Sequence, residues 1–196
     1  MEVDYKKYFD LFMEQFPELS PEAKNFTRAS LSLEKYSKKE FLFKSGQVQK
    51  ELGYVCEGLL RKYYISEKGN KITTSFLSER GYATDYPALL RQQPSKYNIE
   101  CLEPSIIIKL PYIKLQEAYF KHKESEMYGR LMAEKVLTRE IDRVESFLFE
   151  NAEERYLNFI ENNKHIINRI SLTHLASYLG IERQSLSRIR SKLAKP

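Results

Sequence analysis

The sequence lacks the features that mark secreted and membrane proteins. It has only two cysteines in 196 residues, Cys56 and Cys101, and they have no paired spacing, which is typical of proteins kept in a reducing compartment. No apolar run approaches the length of a membrane span, and the acidic, aromatic N-terminus is unlike a signal peptide. We therefore expect a cytoplasmic protein that makes no membrane contact.

Histidine is also scarce, and it falls outside the segment that reads as β-structure. The three histidines are His122, His165 and His174. A β-barrel metalloenzyme would place several histidines inside its barrel, so these positions oppose that alternative. No nucleophilic triad, phosphate loop or paired carboxylate site stands at a motif spacing. We therefore expect no enzyme activity, no catalytic residue, no metal and no cofactor.

Positive charge is concentrated near the end of the chain. The formal net charge is +5, yet residues 164–196 contain seven Lys or Arg and one acid, Glu182. The rest of the chain is therefore close to neutral. Binding to the phosphate backbone of a nucleic acid requires a local excess of positive charge of this kind.

Residues 170–193 within this basic region predict two short helices joined at a glycine. Ser171 is suited to cap the first helix, and Gly180 supplies the permissive backbone of a sharp turn. Apolar residues at helical spacing give each helix one core-facing side: Leu172, Leu175, Ala176 and Leu179 on the first, and Leu186, Ile189 and Leu193 on the second.

The side of the second helix opposite this apolar anchor carries Gln184, Ser187, Arg188 and Ser191, with Arg183 at the flank and no carboxylate. Such a face suits the DNA major groove. The alternative, a helical hairpin with a solvated basic face, is less favoured because the turn, the spacing and the polar set agree. The predicted DNA-binding residues are Ser171, Thr173, Arg183, Gln184, Ser185, Ser187, Arg188, Arg190 and Lys192. Among them we expect Arg188 to read a base and Lys192 to hold phosphate.

The remainder of the chain divides into helical and β-rich segments. Residues 4–16 predict a helix, and a Ser-Pro-Glu start at Ser20 predicts a second helix to about Ser30. Residues 41–110 contain short β-rich runs separated by frequent turn signals, which indicates a sandwich or barrel. Pro111 then opens a short helix.

Residues 124–150 predict one long helix whose apolar residues lie close to a heptad seam. The seam consists of Met127, Leu131, Leu137, Ile141, Val144 and Leu148. It favours a contact between two chains, with Glu134 as its polar break. The alternative is an amphipathic helix that lies on its own domain.

This order of parts resembles the Crp/Fnr family of bacterial transcription regulators. Residues 52–61 look like the family's strand–Gly–strand step, Gly69 and Gly81 fall at its turn glycines, and residues 185–189 look like its recognition-helix core. The resemblance implies that Arg183, Gln184 and Arg188 contact bases.

The resemblance also implies an α+β fold. Residues 1–122 would form a double-stranded β-helix (jelly-roll) domain like those that bind cyclic nucleotides. Residues 123–150 would form a dimerisation helix, and residues 151–196 a helix-turn-helix, winged-helix-like domain. The implied partners are double-stranded DNA, a second copy of the chain, an unknown small-molecule effector and RNA polymerase.

Three features depart from the family pattern. Cyclic-nucleotide-binding members use a Gly-Glu pair for the ribose and an Arg-Ser or Arg-Thr pair for the phosphate. Here the acid is displaced to Asp85 or replaced by Tyr86, the arginine is replaced by Lys96, and the small hydroxyl residue is replaced by Tyr97. Lysine lacks the planar fork with which arginine binds phosphate, so we expect no cyclic AMP or GMP binding. Only three residues follow Leu193, so strands completing a wing after it are not expected. No cysteine precedes Cys56, which excludes an N-terminal iron–sulfur ligand cluster.

The candidate effector region consists of Tyr82, Asp85, Tyr86, Lys96 and Tyr97. Its tyrosines would line a pocket for an aromatic or apolar ligand, although core packing is the favoured role for them. A redox-sensing role for the two cysteines is disfavoured, because both lie in apolar strands.

The sequence thus predicts a dimeric DNA-binding transcription regulator whose effector is not cyclic AMP. The alternative is a small-molecule sensor whose helical C-terminal domain binds a protein instead of DNA.

Overall fold

The computed structural model describes residues 5–194. The chain begins with two short helices, α1 (Tyr5–Met13) and α2 (Pro21–Ala29). The Ser20 hydroxyl caps α2 by accepting a hydrogen bond from the Ala23 N–H at 3.2 Å, and Pro21 occupies the first turn. The second helix therefore lies where its start signal predicted it, whereas α1 ends three residues earlier than expected.

Between residues 5 and 194, eight strands form two four-stranded antiparallel sheets, together called the roll. The first sheet has the order β1 (Ser32–Tyr36), β8 (Ser105–Pro111), β3 (Glu51–Glu57), β6 (Tyr82–Ala83). The second has the order β2 (Phe41–Phe43), β7 (Asn98–Cys101), β4 (Leu60–Ile65), β5 (Lys71–Leu77). The buried side chains between the sheets include Val55, Leu60, Leu77, Ile99 and Ile107. The predicted β-sandwich is confirmed.

Two strands were not anticipated from the sequence, β1 and β6. Strand β1 lies at the edge of its sheet, and its charged residues Glu34 and Lys35 are exposed. Charged residues are common on edge strands because they oppose pairing with other chains. They also interrupt the apolar pattern from which a strand is predicted.

The turn between β3 and β4 requires glycine. Gly58 has φ +104°, and a Cβ there would lie 2.2 Å from the Ser105 hydroxyl oxygen. Any side chain would therefore displace the start of β8. This is the glycine of the strand–Gly–strand step.

Helices follow the roll. A short helix, α3 (Tyr86–Arg91), lies within it, and the chain continues through α4 (Tyr112–Lys121), α5 (Lys123–Phe149) and α6 (Ala152–Asn162). A 3₁₀ turn (Ile167–Arg169) leads to α7 (Leu172–Leu179) and α8 (Arg183–Leu193). No helix in the described part of the chain has the length and hydropathy needed to cross a membrane.

Residues 152–194, called the C-terminal unit, have a small apolar core of their own. Its buried residues include Tyr156, Phe159, Ile166, Leu175, Leu179 and Leu186, and Leu59 of the roll completes the cluster. No strand lies between residues 151 and 194, so within the described range the two-helix motif has no wing.

Candidate nucleic-acid interface and effector region

The two-helix motif is built as its sequence indicated. The Ser171 hydroxyl accepts a hydrogen bond from the His174 N–H at 3.2 Å and caps α7. Gly180 ends α7 in the left-handed region at φ +70°, and a Cβ there would lie 2.7 Å from the Phe147 ring. Glycine is thus required both by the backbone and by the long helix beside it.

The polar face of α8 is open to solvent. Leu186 is fully buried, and Gln184 and Arg188 on the opposite side are exposed, as are Arg183, Ser187 and Arg190. The long polar side chains therefore project from a fixed helix and are free to meet a groove. Ser185 is half-buried beside the anchor and is less accessible than predicted.

Two predictions about the second helix require correction. Leu193 was expected to anchor α8, but it is 42% exposed at the last residue of the helix. Lys192 was expected to be available for phosphate, yet its Nζ lies 2.7 Å from the Glu153 carboxylate of α6. A contact with DNA would have to compete with that pair.

The start of α7 offers fewer free groups than predicted. Thr173 is exposed, but the Ser171 hydroxyl is engaged in capping the helix. His174, on the same helix, is half-buried. Burial, together with the nearby Arg61 guanidinium, lowers the pKa of His174.

The C-terminal unit is attached to the roll by polar contacts that the sequence did not reveal. Arg169 forms a bidentate pair with Glu79, at 2.7 and 3.1 Å, and a second pair with Glu103. The Ser177 hydroxyl accepts from the Thr73 N–H at 2.9 Å and donates to the Lys71 carbonyl at 3.0 Å. These residues lie far apart in sequence, so no local spacing could have paired them.

The long helix also contacts the motif. The Arg143 guanidinium donates to the Tyr178 carbonyl at 2.8 Å and lies 3.8 Å from the centre of the Tyr178 ring. Arg155 of α6 donates to the Leu179 carbonyl at 3.2 Å. The end of α7 is therefore held by two arginines, one from α5 and one from α6.

In residues 84–97, called the cassette segment, the buried Asp85 is hydrogen-bonded within the segment and to the neighbouring Gln49. The buried Asp85 carboxylate accepts from the Ser95 hydroxyl at 2.7 Å, and the Asp85 N–H donates to the Gln49 side chain at 3.0 Å. Ser95, not Lys96, therefore faces the acid, and Lys96 is exposed. The expectation that Lys96 stands in the arginine position is not supported by this geometry.

The neighbouring space is occupied by the protein's own side chains. Lys62 of β4 lies with its Nζ 5.1 Å from the centre of the Tyr97 ring, and the Tyr64 ring packs edge-on against Tyr97 at 6.2 Å. Burial lowers the pKa of Lys62. The Tyr97 ring therefore packs against two side chains of β4, one of them charged.

The five predicted effector residues do not form one site. Tyr82 and Tyr86 line an apolar pocket that also receives side chains from α1, α4 and α5. Asp85 and Tyr97 belong to the polar region of the cassette segment, and Lys96 projects into solvent. The sequence located the region but did not separate its two environments.

The predicted dimerisation residues differ in exposure along α5. Met127 and Leu131 are half-buried. The remaining four are between 46% and 70% exposed, namely Leu137, Ile141, Val144 and Leu148. The last four seam residues are thus left exposed by their own chain, whereas Met127 and Leu131 are partly buried by it.

The groups that would indicate metal or thiol chemistry are inert in the described residues. Both cysteines are buried, and burial raises the pKa of Cys56 and of Cys101 to about 11. No group of three or more metal-ligating side chains comes together between residues 5 and 194.

Comparison with known proteins agrees with this architecture. Residues 33–122 match the cyclic nucleotide-binding domain family. The anaerobic regulatory protein of Pasteurella multocida is 26% identical over 170 residues, which are 81% of this chain and 61% of that protein. The match therefore spans less than two thirds of this relative's length.

Solved structures share the fold at low sequence identity. FixK2 from Bradyrhizobium japonicum gives a TM-score of 0.73 at 17% identity, covering 83% of this chain and 84% of that one. A protein from Eubacterium rectale described as a transcriptional regulator of the Crp/Fnr family gives 0.71 at 17% identity, covering 95% and 87%.

The fold thus defines a class of protein, in which a cyclic-nucleotide-binding-type roll is followed by a long helix and a helix-turn-helix. Within that class the chain is similar to regulators of the Crp/Fnr type, which agrees with the resemblance drawn from its sequence.

Proposed function

We propose that this protein is a DNA-binding transcription regulator that acts as a dimer on a palindromic site. The observation that carries the proposal is the exposed face of α8, where Gln184 and Arg188 project opposite the buried Leu186 and Arg183 is exposed at the flank. Arginine and glutamine are the side chains that read guanine and adenine bidentately in the major groove. The local excess of positive charge in residues 164–196 supports the same partner.

A dimer would supply the second reading helix. Four exposed apolar residues of α5 continue along the helix toward the C-terminal unit, and their burial against a second copy would stabilise a coiled contact. Two reading helices related by a two-fold axis then meet half-sites about one helical turn apart. Binding of a small effector would re-aim α5 and shift the population that is competent for DNA. In the cytoplasm, such a regulator would also meet RNA polymerase.

The effector is not expected to be cyclic AMP or GMP. Asp85 is already bonded to Ser95, and Lys62 and Tyr97 occupy the adjoining space. The exposed Lys96 offers one charge without a planar fork. Calorimetry with millimolar cyclic AMP should therefore give no saturable heat, whereas a micromolar dissociation constant would contradict this expectation.

The test of DNA binding begins with selection of bound sequences from a random pool, followed by binding of single-base variants at two salt concentrations. Arg188→Ala should remove preference at one symmetric position, a loss of about 1–3 kcal/mol of discrimination. Lys192→Ala should weaken all sequences alike, and the salt slope should fall by less than about one unit per site because Glu153 already pairs with Lys192.

Arg130→Ala is the matched control. Arg130 is an exposed arginine of α5 that pairs with Glu134, one turn away on the same helix and outside the C-terminal unit, so its removal should leave binding unchanged. If Arg188→Ala weakens every variant equally, Arg183 or Gln184 reads the base instead. If no DNA is retained at low salt, the proposal fails, and the alternative, in which the C-terminal unit binds a protein, becomes the one to test.

A further inference from the structure

An apolar pocket lies on the outer face of the first sheet, away from the cassette segment's polar interior. It is walled by α1, α2, α4 and α5, and by Leu52, Tyr82 and Leu110 of the sheet. The pocket has a volume of about 90 Å³ and is partly open to solvent. One ordered water needs roughly 10–15 Å³, so the pocket is several times larger than a water site, and part of a bound ligand would extend toward the opening.

Several of the α5 residues that line the pocket have small side chains, which leave space in it. Ser125, Gly129 and Ala133 follow one another at four-residue spacing and all line the pocket. A Cβ at Gly129 would lie 2.5 Å from the Tyr119 ring, so glycine lets α4 approach α5 at this level. A glycine inside a helix costs about 1 kcal/mol relative to alanine, which close packing here offsets.

One buried hydroxyl that lines the pocket has no hydrogen-bond partner among the described residues. Ser125 is 7% exposed, and its hydroxyl makes no hydrogen bond with any described residue. Buried hydroxyls are normally paired, and an unpaired one indicates a missing partner. The Tyr82 and Tyr119 phenols also line the pocket, and burial raises the pKa of both, so they remain uncharged donors.

The lining offers no free charge. Its one ionic side chain, Lys114, lies 3.0 Å from the Glu117 carboxylate and is thereby neutralised. A nucleotide phosphate or a carboxylate would enter without a counter-charge, which is costly in an apolar site. The chemistry of the wall therefore selects an uncharged molecule.

We propose that this pocket binds an uncharged ring compound with one carbonyl oxygen, which accepts a hydrogen bond from the Ser125 hydroxyl. The proposal rests on the regulatory function proposed above, and names the class of effector and its place. The ligand would contact the sheet through Tyr82 and the long helix through Ser125 and Ala133. It would therefore favour one position of α5 over others.

The experiment measures binding of three single-ring probes by ligand-observed NMR, without DNA. Acetophenone carries the carbonyl, ethylbenzene lacks the oxygen, and benzoate carries a charge. The wild-type protein should bind acetophenone saturably and at least tenfold more tightly than benzoate. Ser125→Ala should weaken acetophenone about two- to tenfold, the range of one hydrogen bond, and leave ethylbenzene unchanged.

Ala133→Phe fills the pocket and should abolish binding of all three probes. Ala29→Phe is the matched control, because Ala29 is an exposed helical alanine outside the pocket. Wild-type affinity in Ala133→Phe, or equal weakening of acetophenone and ethylbenzene in Ser125→Ala, would overturn the proposal. If Ala133→Phe loses its cooperative thermal transition, the Ser125→Ala comparison decides.

The NMR experiment contains no DNA, so its result can be interpreted even if the protein proves unable to bind DNA. Conversely, absence of saturable acetophenone binding would reject the ligand class and leave the Arg188 experiment unaffected.

Discussion

The two halves of α5 are one continuous helix, yet they meet very different surroundings. Residues 125–136 turn small and apolar side chains toward the first sheet, α1 and α4. Residues 137–149 face a polar cleft lined by Arg139, Asp142 and Arg143, and they leave apolar residues exposed on another side. The first half is therefore covered by its own chain, whereas the second half leaves apolar residues exposed to solvent.

The means of attachment also differ. The first half is held by apolar contacts, such as the Phe16 and Tyr128 rings, whose centres lie 5.2 Å apart. The second half reaches its own chain mainly through Arg143 and Phe147, which contact the C-terminal unit. That unit is in turn held to the roll by charged and polar pairs. Ionic contacts respond to pH and salt more than apolar ones do, so the two halves should respond differently to solution conditions.

The largest expected effect is on association. Ile141→Asp would place an unpaired charge in the exposed apolar strip of α5, at a cost of several kcal/mol to a dimer. Sedimentation should show monomers, with the monomer fold intact by circular dichroism. Ile141→Leu, which conserves volume, should remain dimeric. A dimeric Ile141→Asp protein would place the contact elsewhere and remove the distinction between the two halves.

A smaller effect is expected in the packed half. Gly129→Ala would bring a Cβ against the Tyr119 ring, and overpacking costs about 1–3 kcal/mol, partly offset by about 1 kcal/mol of helix propensity. The melting temperature should fall by a few degrees at constant dimer content. An increase in melting temperature would show that Tyr119 moves freely and that the first half is loosely packed.

The smallest expected effect is on the stability of the fold at acid pH. Partial burial alone would raise the pKa of Glu79, but hydrogen bonds from Arg169 and from backbone N–H groups hold that pKa below its ordinary value. Because the pKa of Glu79 is lower in the folded protein, its ionised carboxylate stabilises the fold at pH values above the unfolded-state pKa of about 4.3. This stabilisation is lost as the pH falls through the folded-state pKa.

Arg169→Met should therefore destabilise the protein above about pH 5, and the difference from wild type should shrink at lower pH. Because both side chains are partly exposed, we expect about 1 kcal/mol or less. Urea unfolding at several pH values measures this difference. A constant difference down to about pH 3 would mean that Glu79 does not depend on Arg169.

Local signals predicted most of the elements. The caps at Ser20 and Ser171 and the turn at Gly180 lie where the sequence indicated, because capping and left-handed backbone depend on adjacent residues. Strand β1 was missed because an edge strand needs no continuous apolar pattern.

The candidate sites were predicted less completely. The exposed polar face of α8 was predicted from helical spacing, since exposure opposite Leu186 follows from periodicity. The pairing of Lys192 with Glu153 was not found, because the two residues meet only when α6 packs beside α8. Likewise Tyr82 and Tyr97 are near in sequence but lie in different environments.

The sequence by itself determined the order of roll, long helix and two-helix motif, because each depends on short-range periodicity, turn residues and charge. Only the tertiary structure decided which part of α5 is covered, that Ser95 faces Asp85, and that the Ser125 hydroxyl is buried without a partner. These facts depend on which distant surfaces meet, and burial is a property of the packed chain that no local pattern specifies.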